Sequence, residues 1–167
     1  PQNQQGEARL KSQYLRANCE PSERCTLALP GTNQYRLTAD GSGINNLTLT
    51  GDWIDNGIST ACLEGAVMSG IQAARAVSGI CFPIIGEFLD EGVLPWDVQR
   101  PAPAGLLPLI KKFPPDQKVR VAVLGSGIGA MSAVWGLLQS PYADRFEINV
   151  YQYGWRVGGK CASGRNA

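Results

Sequence analysis

Residues 121–130, VAVLGSGIGA, join an apolar run to a glycine-rich turn. The apolar run starts further back, as VRVAVL at 119–124, and predicts a buried strand. After the turn, IGAMSAVWGLLQ at 128–139 repeats apolar residues at helical spacing, and FEINVYQ at 146–152 alternates apolar and polar residues. Together these stretches predict a βαβ unit, in which a helix connects two parallel strands.

The glycine-rich turn fits the fingerprint G-x-G-x-x-G/A, with Gly125, Gly127 and Ala130 at the fixed positions. Gly125 permits a tight turn out of the strand, and Gly127 removes a side chain where a pyrophosphate would approach the backbone. Ala130 keeps the helix close to the strand, and the N–H groups at the helix start favour an anion. We expect a dinucleotide site here; a purely structural glycine turn is the alternative.

The acidic residue expected at the end of the second strand is replaced by Gln152. A glutamine amide can still hydrogen-bond a ribose hydroxyl, but it lacks the charge-assisted bond of a carboxylate. This position therefore does not separate NAD, NADP and FAD as the ligand.

A basic, glycine-containing run, GWRVGGKCASGR, follows the second strand. Arg156, Gly158, Gly159, Lys160 and Arg165 would bring cations and flexible backbone beside a pyrophosphate bound at the helix start. The alternative is a basic loop on the surface.

The first half of the chain carries weaker patterns. Leu47 and Leu49 alternate with threonines, which predicts a short strand at 47–51, and helical spacing predicts a helix over about 60–77. Small residues recur four apart along that helix, at Ala61, Gly65, Ser69 and Ala73. Such a row lets another backbone or a flat ligand approach the helix closely. The alternative is tight packing of the helix on a sheet.

Prolines make 83–117 a connector between two modules. Near the start of the chain, CTLALPGTNQYRL at 25–37 predicts two extended pieces around a turn.

Composition narrows the functional classes. The 167 residues are 44% hydrophobic and 17% charged, with a net charge of +1, which favours a globular protein and gives no sign of a nucleic-acid partner. The absence of histidine excludes a His-based catalytic triad, and five cysteines without a CxxC pair predict no metal site and no disulfide framework. We expect reduced thiols and a cytoplasmic protein, with peripheral membrane association left open.

Two stretches resemble one flavoprotein family. VAVLGSGIGA…VYQYGWRVGGK resembles the amino-terminal FAD-binding segment of the amine oxidase and phytoene desaturase-like flavoproteins, in which a twin-glycine motif follows a GxGxxG βαβ unit. Residues 46–77, NLTLTGDWIDNGISTACLEGAVMSGIQAARAV, resemble the carboxy-terminal FAD-binding segment of the same family. There a strand ends in Gly-Asp, and the next helix carries a Glu-Gly-Ala-x-x-Ser-Gly run.

The resemblance implies a FAD-dependent oxidoreductase acting on an amine or on a carbon chain, as in carotenoid desaturation. Since both segments build one FAD domain in that family, we predict a small three-layer α/β, Rossmann-like FAD-binding unit whose mostly parallel sheet contains strands 47–51, 119–124 and 146–152. Separate packing of the two modules is the alternative. The implied cofactor contacts are Gly51, Asp52, Gly125, Gly127, Gly129, Ala130, Gln152, Arg156, Gly158 and Gly159. Residues near Ser59–Cys62 would lie by the flavin, and Glu64 caps or packs on its helix. No catalytic residue is assigned, and a non-catalytic dinucleotide-binding module and an NAD(P)-binding domain are the alternatives.

The resemblance also implies an unusual segment order. Residues 1–82 contain the carboxy-terminal type of segment, 83–117 the connector, and 118–167 the amino-terminal type. A junction of two fused units, a circular permutation with a deletion and a fragment of a longer chain all fit, and we expect a fragment spanning a junction. The substrate domain is then missing, and a further domain or chain would supply the site for a small-molecule or lipid-like substrate.

Overall fold

A computed structural model describes five parts of the chain, namely residues 5–11, 27–58, 60–87, 108–154 and 157–161. The chain divides into two compact units: Pro1–Cys25 with Ser163–Ala167, and Thr26–Ala162. In the first unit, the described element is helix α1 (Gly6–Lys11), where Lys11 Nζ lies 2.7 Å from Glu7 Oε1. Because both side chains are exposed, this pair adds little stability.

The described residues of the second unit include two longer helices and two strands. In chain order they are α2 (Leu63–Ser78), β1 (Val119–Leu124), α3 (Ile128–Gln139) and β2 (Phe146–Tyr151). Short 3₁₀ turns lie at Asn33–Tyr35, Leu109–Lys112, Ala143–Arg145 and Gly159–Cys161. In the described part of the chain, no helix combines the length and apolar character needed to cross a membrane.

The predicted βαβ unit is present. β1 and β2 pair in parallel, from Val119 opposite Phe146 to Leu124 opposite Tyr151, and α3 connects them. Side chains alternate along β1, so that Val119 is buried while Arg120 is exposed. Val119 and Phe146 join a core completed by Ala74 and Val77 of α2, Leu137 of α3 and Ile110. The described residues therefore form a small α/β arrangement in which α2 belongs to the core of the βαβ unit.

The predicted strand at 47–51 is wrong. Among the described residues the sheet has two strands, and residues 47–50 have no regular structure. Leu49 donates one backbone hydrogen bond to Ala39 O at 2.8 Å, and Gly51 then adopts φ +129°, which interrupts an extended conformation. The alternation of leucines reflects packing, because Leu49 lies against a small apolar cluster while Leu47 is exposed.

Small residues of α2 lie in a close contact with α3 and with residues 50–51. A Cβ added to Gly70 would overlap Gly129 O and lie 2.6 Å from Ser132 Cβ. Further along the same contact, a Cβ on Gly136 would lie 2.7 Å from Ala74 Cβ. The two helices approach this closely because each carries glycine at the contact. Gly70 and Ala74 lie beside the predicted row rather than in it. Within the row, Ser69 lies against the backbone of Gly51, whereas Gly65 lies against the Asn56 side chain, so a neighbouring backbone accounts for one member only.

α2 begins at Leu63 rather than near residue 60, and it ends at Ser78 with Gly79 in the left-handed conformation, φ +72°. Beyond it, residues 82–87 are attached to α2 by Arg75. Its Nη1 lies 2.8 Å from Glu87 Oε2, and its Nε donates to Phe82 O at 2.8 Å. The two charged side chains are largely buried and paired with each other, so both ends of this attachment are satisfied. Most of the predicted connector, residues 88–107, lies outside the described residues.

Candidate cofactor site

The turn between β1 and α3 depends on glycine at its first position. Gly125 has φ +100°, a conformation that residues with a Cβ rarely adopt, and its N–H donates to Tyr151 O at 2.8 Å. The chain can therefore leave β1 sharply while it stays bonded to the end of β2. The start of α3 is thereby placed at the carboxyl ends of both strands, where open α/β sheets bind ligands.

Gly127 is a glycine for a different reason. It is the N-cap of α3 at φ −66° and ψ 168°, a conformation open to any residue. A Cβ at this position would have no heavy atom of the described residues within 4 Å. Within the described part of the chain, neither the backbone conformation nor a packing contact therefore requires glycine at this position, and the space beside its Cα is open. A pyrophosphate approaching the backbone needs that clearance.

The N-terminus of α3 has no side-chain capping bond. The first intrahelical bond runs from Met131 N to Gly127 O at 2.9 Å, so the N–H groups of the first turn precede the bonded ladder. These groups carry a partial positive charge from the helix dipole. Together with the clearance at Gly127, they form a position suited to an anion.

Gln152 holds the turn from the β2 side. Its Oε1 accepts the Ser126 backbone N–H at 3.0 Å and the Ser126 hydroxyl at 2.5 Å. The sequence predicted Gln152 as a ribose contact, whereas in the structure its oxygen positions the glycine turn. The amide nitrogen is the part of this exposed side chain that can donate to a ligand.

The twin glycines lie directly on the turn. Gly158 N–H donates to Ser126 O at 2.9 Å, and Gly158 pairs with Gly127 in an isolated parallel bridge. Gly159 has φ +58°, and a Cβ there would lie 2.9 Å from Gly127 Cα. Backbone therefore packs on backbone, which requires glycine at this position. Lys160 follows in the turn Gly159–Cys161 and is exposed; the predicted contacts at Arg156 and Arg165 lie outside the described residues.

The Gly51–Asp52 segment reaches the same helix start from the other side. A Cβ on Gly129 would lie 2.8 Å from Thr50 Oγ1 and 3.2 Å from Gly51 N, so glycine at 129 makes room for this segment. Gly129 and Ala130 are both buried. The structure thus brings together two motifs that are far apart in the sequence.

The backbone around Asp52 is fixed on several sides. Trp53 Nε1 donates to Thr50 O at 3.0 Å, and Arg36 Nη1 donates to Asp52 O at 2.9 Å. Gly51 itself needs glycine, because its φ is +129° and a Cβ would lie 2.5 Å from Trp53 Cδ1. The half-buried Asp52 carboxylate makes no hydrogen bond or ion pair with any described residue, so its acceptor capacity is directed to solvent or a ligand.

At the start of α2, which was predicted to lie by the flavin, one backbone N–H bonds to a side chain of the protein itself. Cys62 is the N-cap of α2, and its Sγ accepts the Gly65 N–H at 3.2 Å. Glu64 follows in the first helical turn and is exposed. A negative charge is favourable at this end of a helix because of the helix dipole. Ser59 lies outside the described residues, and Cys161 is exposed in the turn Gly159–Cys161.

Sequence reasoning gave no hydrogen-bonding role to three hydroxyl residues of this site, namely Thr50, Ser69 and Ser126, although Ser69 was noted in the row of small residues and in the Ser-Gly run. Ser69 and Ser126 are almost fully buried and make the bonds that connect the motifs. One signal was available, because a serine on the buried face of a helix needs a specific hydrogen-bond partner. Ser69 lies on that face of α2.

Comparison with known proteins finds a family match for the part of the chain that contains Gly51–Asp52 and α2. The family model described as flavin containing amine oxidoreductase matches residues 9–78, a range that includes Gly51–Asp52 and α2 and ends before β1. No curated protein and no solved structure matches the chain. Residues 9–78 are therefore a region similar to flavin-containing oxidoreductases, whose cofactor is FAD.

Proposed function

We propose that the Gly51–Asp52 segment, α2 and the βαβ unit together form the FAD-binding site of a flavin-dependent oxidoreductase. The observation that carries this proposal is the start of α3, where an uncapped helix N-terminus faces the clearance kept by Gly127. The family match supports a flavin in the neighbouring segment, and Gly51 lies against the same helix turn through Gly129. The βαβ unit would then be Rossmann-like, with the pyrophosphate at its first helix.

Each part of the site has a distinct role in this proposal. The N–H groups of the first turn of α3 bind the pyrophosphate, and Gly127 and Gly158 allow it to approach. Gln152 donates from its amide nitrogen to a ribose hydroxyl while its oxygen holds Ser126. The Asp52 carboxylate accepts hydrogen bonds from the hydroxyls of the ribityl chain. Arg156 remains a predicted contact, outside the described residues.

The flavin supplies the redox chemistry, accepting a hydride equivalent from the substrate. The described residues of this chain bind and orient the cofactor. Because the matching family description names amines, we place an amine before the carbon chain of a carotenoid as the substrate class. A further domain or chain would supply the substrate site.

We also propose that the two segments occur in the reverse of the family's order. Their proximity in space supports this, because Thr50 and Gly51 pack against Gly129 at the start of α3. A cofactor site depends on where groups lie in space, so either chain order can build it if the connector permits docking.

Titration of the purified chain with FAD, NAD and NADP tests the proposal. We expect bound flavin absorbance that survives desalting for FAD, and no saturable binding of the nicotinamide dinucleotides. Retained NAD or NADP would favour the NAD(P)-binding alternative, and no binding of any of the three would contradict a dinucleotide site. Bleaching of the bound flavin by dithionite would show that it is redox-active, whereas bound flavin that no reductant bleaches would favour a non-catalytic module.

A further inference from the structure

We infer that Ser69 is a positioning residue for the cofactor: its hydroxyl holds the Gly51–Asp52 segment against the start of α3. This inference rests on the proposed function. Ser69 is fully buried on the face of α2 that contacts the Gly51–Asp52 segment. It touches no solvent, so its effect on a ligand is exerted through the groups that it bonds.

The Ser69 hydroxyl uses all of its hydrogen-bonding positions. Its own proton is donated to Ala66 O, at an Oγ–O distance of 2.6 Å. The oxygen therefore accepts from its two other neighbours, Gly51 N at 2.8 Å and Thr50 Oγ1 at 3.1 Å. One donor and two acceptor positions are the full capacity of a serine hydroxyl. The segment is thus attached to α2 at two consecutive residues by one atom.

The attachment adds to the hydrogen bonds from Trp53 and Arg36, and it is the one that bonds the segment to α2. Gly51 is at φ +129°, and the extended pairing predicted for residues 47–51 is absent. Loss of the Ser69 oxygen would leave the Gly51 N–H and the Thr50 hydroxyl without their acceptor. The segment would then gain freedom to move away from Gly129, and Asp52, the next residue, would move with it.

Ser78 provides a matched control on the same helix. It is also buried, and its Oγ donates to Ala74 O at 2.7 Å and accepts Ile80 N–H at 3.2 Å. Ser78 lies in the last turn of α2, whereas Ser69 lies beside the start of α3. Ser69→Ala removes three hydrogen bonds beside the start of α3, and Ser78→Ala removes two in the last turn of the same helix.

The test is a fluorescence titration of the full chain and both variants with FAD, with Tm measured for each apo form. We expect Ser69→Ala to weaken FAD binding by about five- to tenfold, and Ser78→Ala to lower Tm with an unchanged Kd. Equal FAD affinities for the wild type and Ser69→Ala would overturn this inference and leave the proposed function standing. No binding by the wild type would overturn both.

A second variant covers the case in which Ser69→Ala does not fold. Thr50→Val keeps the shape of the side chain and removes only the hydroxyl that donates to Ser69. We expect its FAD affinity to fall by about two- to threefold, because the Gly51 bond remains. An unchanged Kd for this variant would contradict the positioning role.

Discussion

The two long helices of the second unit begin in opposite ways. α2 starts at Cys62, whose Sγ accepts a backbone N–H of the first turn, whereas α3 starts at Gly127 with no side-chain cap. Both helices carry small residues and pack on each other, so the difference lies in their ends rather than in their contact. At the start of α2, one N–H of the first turn has a side-chain acceptor within the protein. At the start of α3, no side-chain cap is present, and this difference is the reason why we propose α3 as the ligand-binding helix.

Filling the clearance at the start of α3 should have the largest effect. We expect Gly127→Val to weaken FAD binding by roughly 100-fold or more, because a branched side chain would occupy the position of the pyrophosphate. The Tm of the apo form should change little, since φ is −66° and no described atom lies within 4 Å of the new Cβ. Fluorescence titration and thermal unfolding measure the two quantities. A variant that binds FAD as the wild type does would show that the site is elsewhere.

Removing the cap of α2 should lower the stability of the fold and leave the FAD affinity unchanged. We expect Cys62→Ala to lower the free energy of unfolding by up to about 1 kcal/mol, because Gly65 N–H loses its acceptor. Cys62→Ser should recover that loss, since serine is a favoured N-cap. Neither change should alter the FAD affinity. If both variants bound FAD more weakly while their free energy of unfolding stayed unchanged, the start of α2 would lie at the flavin together with the start of α3.

The smallest expected effect is a gain in affinity at Gln152. Gln152→Glu keeps an oxygen for Ser126 and replaces the amide nitrogen by a charged acceptor for ribose hydroxyls. We expect FAD binding to tighten by about fivefold at neutral pH. Gln152→Met, which removes the oxygen at similar size, should weaken binding because Ser126 loses its partner. Identical affinities for all three proteins would contradict a ribose contact at this position.

The local part of the fold could be predicted from the sequence, and the long-range part could not. The strands and helix of the βαβ unit are encoded by short periodic patterns, and the structure places them at 119–124, 128–139 and 146–151. The predicted strand at 47–51 failed because two alternating leucines do not specify a pairing partner. The periodic pattern of α2 likewise did not identify its partner, although the family resemblance implied that both segments build one unit, and the structure packs α2 into the core of the βαβ unit.

The same division applies to the site. The glycines of the turn were found because each one answers a local backbone or clearance requirement. The roles of Ser69 and Ser126 were not predicted because they depend on residues distant in sequence, at Gly51 and Gln152. Gln152 was predicted as a ligand contact because its bond to Ser126 depends on the close approach of the two strand ends, which the sequence does not show.

If two segments distant in sequence build one FAD site, then hydrogen exchange of the full chain should change at both of them when FAD is added. We expect FAD to slow amide exchange in two places together, at Gly51–Asp52 and at Gly127–Ala130. The amides of β1 serve as an internal reference, because they are already bonded in the sheet. Protection at the start of α3 with no change at Gly51–Asp52 would contradict a FAD site built by both segments.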